Sequence, residues 1–167
     1  MADLVRPARD ADAADIARIY NRGIAERLAT FETEPRSAER IALTLAERAD
    51  RYPTVVVERD GRIVAWAGAS DYRPRDCYAG IAEFSVYVDR AARGTGAGTS
   101  AMRGLIVACE ARGFWKLVSR VFPENEASRK LLASLGFREV GVYERHAKLD
   151  GEWRDVLIVE KWIGPAA

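Results

Sequence analysis

Cysteine, histidine and long apolar segments are scarce in this chain. The two cysteines, Cys77 and Cys109, lie far apart with no second pair, so reduced thiols are expected rather than a disulfide or zinc framework. No apolar run approaches the length of a membrane span, and the amino terminus lacks the basic and apolar regions of a signal peptide. The sequence therefore predicts a cytoplasmic protein with no membrane partner.

An excess of charge of one sign is also missing. The net charge of the 167 residues is +1, although 31% of them are charged, so nucleic acid is not an expected partner. Hydrophobic residues make up 49% of the chain, and no repeat or low-complexity segment interrupts it. We therefore expect residues 1–167 to form one domain whose core is large enough to fold alone.

A strand that runs into a glycine-rich turn is the most informative segment of the sequence. Residues 82–88 read AEFSVYV, the turn Arg93-Gly94-Thr95-Gly96-Ala97-Gly98 follows, and a helical pattern starts at once. Glycines let the backbone curl so that successive N–H groups point to one spot, and the helix start adds further free N–H groups. The pattern favours a pyrophosphate site, with a plain helix entrance as the alternative.

The same turn excludes two better-known phosphate-binding loops. A Walker loop requires Gly-Lys-Ser/Thr at its end, whereas Gly98 is followed by Thr99-Ser100. A dinucleotide fingerprint has glycine or alanine at the position of Thr99 and usually lies in the first strand–helix unit, whereas this turn is in the middle of the chain. The predicted anion site is therefore neither a Walker loop nor a dinucleotide-binding turn.

Hydrophobic periodicity predicts an α/β fold. The predicted order is strand, two helices, three strands, helix, strand, helix and two strands, in a mixed sheet. Ser37 and Asn125 are predicted to cap helices. Asp60-Gly61 and Asp150-Gly151 are typical of the tight turns of hairpins.

The motif Arg93-x-x-Gly96-x-Gly98 after a Val-Tyr-Val strand resembles the pyrophosphate-binding motif of the GNAT superfamily of acetyl-CoA-dependent N-acetyltransferases. Within it, the chain is most similar to the phosphinothricin N-acetyltransferase branch, which includes enzymes that acetylate arsinothricin and methionine sulfoximine. The segments that carry this similarity are FETEP (31–35), RYP (51–53), YRPR (72–75), EFSVYV (83–88), LGF (135–137) and GEWRDV (151–156). The resemblance covers nearly the whole chain. It implies a GNAT-like mixed, mostly antiparallel sheet flanked by helices, and a homodimer.

The resemblance also implies acetyl-CoA as co-substrate and no metal. The strand end and the glycine turn would hold the cofactor, and Asn125 would contact its pantetheine arm in addition to capping a helix. The implied acetyl-CoA contacts are Val86, Tyr87, Val88, Arg93, Gly94, Thr95, Gly96, Ala97, Gly98, Thr99, Asn125 and Ser128.

Glu83 is the candidate general base. A free α-amine has a pKa of about 7.7–8 and is mostly protonated at neutral pH, so it needs a base before it can attack. A period of two places Glu83, Ser85 and Tyr87 on one face of the strand. A carboxylate on a central strand is costly to bury unless it is paired or faces a cleft. Two interpretations follow: a salt bridge to a neighbouring arginine, or a base acting through a water molecule. The resemblance implies the base.

Arg73, Arg75 and Tyr78 cluster in the loop before that strand. Two guanidinium groups and a phenol suit a tetrahedral oxyanion such as a phosphinate, and a solvated basic loop is the alternative. The resemblance implies substrate contact for these three residues and for Phe31.

One position departs from the branch. Asp150 stands just before the Gly-x-Trp motif (151–153) of the last hairpin, where phosphinothricin enzymes often carry a histidine. The only histidine, His146, is a lone residue near the end of the chain, for which a structural role is the more common one. No side chain is an obvious acid for the departing thiolate; Tyr143 and Ser128 are the candidates.

The expected activity is transfer of an acetyl group to the α-amine of a small amino acid with an anionic side chain, phosphinothricin or arsinothricin. The first alternative is the same fold acting on another amine, such as methionine sulfoximine or sulfone, a polyamine or a protein amino terminus. The second is a non-catalytic acyl-CoA sensor, against which Glu83 argues.

Overall fold

A computed structural model describes residues 2–167 as one seven-stranded sheet with four α-helices. The strands are β1 (Leu4–Pro7), β2 (Thr54–Arg59), β3 (Arg62–Asp71), β4 (Ile81–Val88), β5 (Lys116–Val121), β6 (Arg138–Leu149) and β7 (Glu152–Trp162). The helices are α1 (Ala13–Glu26), α2 (Ala38–Arg48), α3 (Ala97–Ala111) and α4 (Glu126–Ser134). This order along the chain confirms the predicted one. Within residues 2–167, no helix combines the length and the apolar character needed to cross a membrane.

The sheet divides between its two central strands. Its strand order is β1-β2-β3-β4-β5-β7-β6, and every neighbouring pair is antiparallel except β4 and β5. These two strands pair over only three positions, Ile81–Glu83 with Lys116–Val118. Where the pairing ends, the Ser119 hydroxyl donates a hydrogen bond of 2.8 Å to the Phe84 carbonyl oxygen. Beyond that point the strands separate and leave a gap in the middle of the sheet.

The predicted caps and turns are confirmed. Asp60-Gly61 and Asp150-Gly151 each have two successive positive φ angles, 53° and 75° in the first pair and 50° and 81° in the second. This is the backbone of the tight hairpin turns that the sequence predicts. The side chains of Ser37 and Asn125 each accept a hydrogen bond from the backbone N–H three residues on, at 3.1 and 3.2 Å.

Helices cover both faces of the sheet, and strand alternation decides which side chains meet them. On one face, Val55 and Val57 belong to the same buried cluster as the apolar side of α3. On the other, Val56 packs with α1 and α2. Close contact between α3 and β1 requires a glycine, because a Cβ at Gly104 would lie 2.4 Å from Val5 Cγ1. The α1 and α2 side leaves a hollow above β3, β4 and β5.

Candidate active site

A cavity of about 550 Å³ lies on the α1 and α2 side of the sheet. Alternate residues of β3 and β4 form its floor, because side chains two apart share one face of a strand. The floor includes Trp66, Gly68 and Ser70 of β3 and Glu83, Ser85 and Tyr87 of β4. The other lining residues come from both the helices and the strands: Ile16 and Tyr20 of α1; residues 29–32 and Arg36 of the next loop; Ile41, Thr44, Leu45 and Arg48 of α2; and Thr54, Phe84, residues 119–122, His146, Ala147 and Val156 of the sheet and its edges.

Glu83 both lines the cavity and forms an ion pair. The Nη2 atom of Arg120 lies 3.1 Å from each carboxylate oxygen of Glu83. The Glu83 side chain is 27% exposed and that of Arg120 is 54% exposed. The salt bridge of the first interpretation is therefore present, and the carboxylate also borders a hollow large enough for a small molecule. The two interpretations are compatible.

A second, narrower hollow of about 50 Å³ occupies the gap between β4 and β5. Val86 and Tyr87 line it from β4, and Asn125 and Ser128 line it from the start of α4. It shares part of its wall with the large cavity: both are lined by Ala29, Phe84, Ser85, Tyr87, Ser119, Arg120 and Val121. We call it the strand cleft. The cleft and the cavity therefore meet beside Glu83.

The glycine turn directs free backbone donors outward at the start of α3. Gly94 and Gly96 have φ of 74° and 89°, the left-handed region that glycine adopts without strain. The first backbone hydrogen bond of α3 runs from Ser100 N to Gly96 O at 3.0 Å. The N–H groups of residues 97–99 therefore have no helical acceptor. Together with the positive end of the helix dipole, they form a site suited to an anion.

Packing explains the last glycine of the turn. A Cβ at Gly98 would lie 3.1 Å from Val88 Cγ2 and 3.2 Å from Leu131 Cδ2, so a side chain there would require these neighbours to shift by a few tenths of an ångström. The glycine keeps the start of α3 close to the strand cleft. The anion site and the cleft thus lie at the same end of β4.

The side chains of Arg93 and Thr95 stabilise the turn itself. Arg93 pairs with Glu26 at the end of α1, with 2.9 Å between Nη2 and Oε2. The Thr95 hydroxyl donates to the Ala92 carbonyl oxygen and accepts from Arg59 Nη1 at 2.9 Å. These contacts hold the turn against α1 and β2. The backbone N–H groups remain directed at the anion site.

Three aromatic rings pack together in the cavity, two from its floor and one from α1. Tyr87 stacks on Trp66 with 5.2 Å between centroids and meets Tyr20 edge-on at 5.0 Å. Burial raises the pKa of the Tyr87 phenol well above its ordinary value, so the phenol is neutral at physiological pH. The indole Nε1 of Trp66 is buried without a hydrogen-bond partner among the described residues. The indole N–H of Trp66 is therefore a buried hydrogen-bond donor that is free to bind a ligand.

The predicted substrate residues lie in two different places. Phe31 lines the cavity and packs edge-on against Phe122, with 4.9 Å between centroids. Arg73 and Arg75 are exposed in the loop before β4, and Tyr78 lies on the short 3-10 turn that follows them. None of these three loop residues lines the cavity. Their contact with substrate stays a prediction.

Three arginines that were not predicted from the sequence, Arg36, Arg48 and Arg120, also line the cavity. For Arg48 a signal was available. It stands seven residues after Ile41, on the apolar stripe that also contains Leu45, and all three line the cavity. A charged residue on the inward stripe of an amphipathic helix is a reason to suspect a functional position.

His146 also lines the cavity, and here the sequence had no signal. The register of β6 against β7 shifts between Tyr143 and Ala147, and Arg145 in this bulge has φ of 47°. His146 itself stacks on Tyr143, with 4.7 Å between centroids. A bulge redirects a side chain without any characteristic residue pattern, so its effect on His146 is visible only in the structure.

Comparison with known proteins identifies the family. The family model of the acetyltransferase (GNAT) domain matches residues 4–138. The chain belongs to the GNAT acetyltransferase family. A phosphinothricin N-acetyltransferase of Alcaligenes faecalis is 33% identical over 159 residues, which cover 94% of this chain and 81% of that protein. An L-methionine sulfoximine/L-methionine sulfone acetyltransferase of Pseudomonas paraeruginosa is 30% identical over 167 residues, covering 99% of this chain and 97% of that protein.

Solved GNAT structures agree with the fold of the chain. A phosphinothricin acetyltransferase from Sinorhizobium meliloti, crystallised in complex with acetyl-CoA, superimposes with a TM-score of 0.91 at 30% sequence identity. The similarity covers 98% of this chain and 90% of that one. The resemblance stated from the sequence motifs is confirmed at the level of the family and the fold. This GNAT chain is an N-acetyltransferase.

Proposed function

We propose that this GNAT enzyme transfers the acetyl group of acetyl-CoA to the α-amine of a small amino acid with an anionic side chain. Phosphinothricin and arsinothricin are the proposed acceptors. The observation that carries the proposal is the shared wall of the strand cleft and the cavity beside Glu83. Acetyl-CoA in the strand cleft and an acceptor in the cavity would meet beside the carboxylate of Glu83. The names of the relatives from A. faecalis and S. meliloti support the acceptor class.

The residues of the turn and the cleft fit acetyl-CoA. The free N–H groups at the start of α3 suit its pyrophosphate, and the absence of a side chain at Gly94 and Gly96 leaves the backbone accessible. The gap between β4 and β5 suits the narrow pantetheine arm, with Asn125 and Ser128 on its wall. We assign the acetyl-CoA contacts to the twelve residues predicted from the sequence, with Arg93 and Thr95 acting through their backbone.

In the proposed reaction the amine attacks the thioester carbonyl carbon directly. A carbon–nitrogen bond forms, the carbon–sulfur bond breaks, and coenzyme A leaves as the thiolate. Glu83 accepts the amine proton through a water molecule, and a backbone N–H near Val86 or Tyr87 stabilises the negative charge on the carbonyl oxygen. Holding both substrates at the junction supplies much of the rate.

The source of the proton for the thiolate stays a prediction. Ser128 lines the strand cleft, where the sulfur would leave. Tyr143, the other candidate, is exposed and lines neither hollow. We therefore favour Ser128 over Tyr143 as the hydroxyl that relays a proton from water to the leaving thiolate.

The homodimer and the cytoplasmic location also stay predictions. Exposed apolar side chains on the last hairpin, including Val142 and Trp153, support an interface between two copies. The hairpin is the longest pair of strands in the sheet, so it offers an extended surface.

The first prediction concerns the cofactor. Because acetyl-CoA would bind the folded state and not the unfolded state, it should raise the melting temperature by mass action. NADH or ATP at the same concentration should raise it far less. Differential scanning fluorimetry with the three compounds tests this. Equal stabilisation by all three would contradict the acetyl-CoA assignment.

The second prediction concerns the acceptor. Release of the coenzyme A thiol, followed with a thiol reagent, should be fastest with phosphinothricin and arsinothricin. The comparison panel contains methionine sulfoximine, methionine sulfone, a polyamine and a peptide with a free amino terminus. A preference for one of these would replace the proposed acceptor class. Binding of acetyl-CoA without thiol release from any amine would support the non-catalytic sensor.

A further inference from the structure

The charged side chains of the cavity leave one positive charge without a partner. Arg36 pairs with Glu32 at 3.5 Å, and Arg120 pairs with Glu83 at 3.1 Å. Arg48, the remaining cationic side chain of the lining, forms neither a salt bridge nor a side-chain hydrogen bond with any of residues 2–167. The cavity thus contains one guanidinium group free to bind an anion.

The position of Arg48 makes an unpaired charge costly. It is half-buried on the inward stripe of α2, one turn after Leu45, and both residues line the cavity. Burial lowers the pKa of the Arg48 guanidinium from its ordinary value, and the negative charge of Asp71, which lies beyond salt-bridge distance, opposes this only in part. A charge taken out of water is destabilising unless it is paired. An anion bound at Arg48 would remove that penalty.

We propose that Arg48 binds the anionic side-chain group of the acceptor while its α-amine lies at Glu83. This inference rests on the proposed function and names the residue that selects the acceptor. Arg48 is on α2, whereas Glu83 is on the floor strand β4 and its partner Arg120 is on β5. The α-carboxylate shares a carbon atom with the amine and would stay near Glu83, so the side-chain anion is the group left to pair with Arg48 in the same cavity.

The geometry explains how the site would discriminate between acceptors. A phosphinate presents two oxygens to the five N–H donors of a guanidinium group, which is a favourable planar match. An acceptor with a neutral side chain of similar size would fill the same space and leave Arg48 unpaired. Arg48 should therefore contribute to selectivity more than to turnover of neutral acceptors.

The test compares two acceptors in three variants. Arg48→Met removes the charge but keeps an unbranched apolar side chain, Arg48→Lys keeps the charge without the planar fork, and Arg40→Met is the matched control. Arg40 lies on the same helix but is exposed and outside the cavity. Loss of one charge-assisted hydrogen-bonded contact should lower kcat/KM for phosphinothricin roughly 10- to 100-fold in Arg48→Met. Methionine sulfone should change by less than about threefold, and Arg48→Lys should lie in between.

Titration calorimetry of phosphinothricin without acetyl-CoA separates this inference from the proposed function. Binding should weaken by a similar factor in Arg48→Met and stay unchanged in Arg40→Met. If no amine supports acetyl transfer, the proposed function fails, whereas the binding difference still tests Arg48. A melting temperature close to that of the wild type shows that each variant is folded.

Three outcomes would overturn the assignment. An equal loss for both acceptors would place the α-carboxylate at Arg48. Wild-type kinetics and binding in Arg48→Met would show that Arg48 has no part in recognition. A selective loss for phosphinothricin in Arg73→Ala or Arg75→Ala, with Arg48→Met unaffected, would place the anion at the loop.

Discussion

Replacing Glu83 with glutamine should lower kcat by roughly 10²–10⁴-fold, because the amide cannot accept the amine proton. The change preserves size and shape, and Glu83 lines the cavity but not the strand cleft, so binding of acetyl-CoA should barely change. The loss should shrink as the pH rises above the amine pKa of about 7.7–8, where the amine loses its proton without help. Steady-state kinetics from roughly pH 6.5 to 9.5, which spans that pKa, measures both effects.

Arg120→Gln is the control that separates the base from the salt bridge. It breaks the ion pair between Arg120 and Glu83 but keeps the carboxylate. If Glu83 were needed only as a structural partner, the two variants would lose similar activity and similar stability. Full activity in Glu83→Gln would also show that the carboxylate takes no proton. We expect a much smaller loss in Arg120→Gln, with no recovery at high pH.

Gly96→Val should abolish most binding of acetyl-CoA. Gly96 has φ of 89°, which costs an L-residue about 1–2 kcal/mol and a β-branched residue more. Relief of that strain would turn the free N–H groups at the start of α3 away from their common point. Each charge-assisted hydrogen bond contributes about 1.5–3 kcal/mol, so the loss of two should raise the dissociation constant of acetyl-CoA by roughly 100-fold or more. Titration calorimetry gives this constant.

The hairpin glycine Gly61 offers a matched control. It has a similar φ of 75°, and a Cβ there, as at Gly96, would meet no heavy atom within 4 Å. Gly61→Val should lower the melting temperature by a comparable amount and leave acetyl-CoA binding unchanged. Equal losses of binding in the two variants would indicate general destabilisation, and unchanged binding in Gly96→Val would exclude the turn as the pyrophosphate site.

Much of the fold could be predicted because its turns and helix caps are specified by adjacent residues. Asp60-Gly61 and Asp150-Gly151 specify hairpin turns through their own backbone preferences, and Ser37 and Asn125 specify helix starts through their own side chains. None of these signals depends on residues far along the chain. The order of the strands within the sheet depends on such residues, and it was not predicted from the sequence.

The candidate site was only half predictable for the same reason. The glycine turn and Glu83 lie on one continuous segment, so their proximity could be inferred from the sequence. Arg120 and His146 approach Glu83 and the cavity only after β5 and β6 are placed in the sheet. The exposed position of Arg73 is likewise a property of the folded loop, which composition does not determine.

The strand order has a consequence for how the chain is made. β7, the last strand, lies between β5 and β6, and β6 pairs with no other strand. While the ribosome is still adding residues after Leu149, β5 therefore has an unpaired edge and β6 has no neighbour. Unpaired edges favour association with other chains. A nascent chain should thus remain vulnerable to aggregation until β7 has emerged, and a stop codon before β7 would leave β6 detached from the sheet.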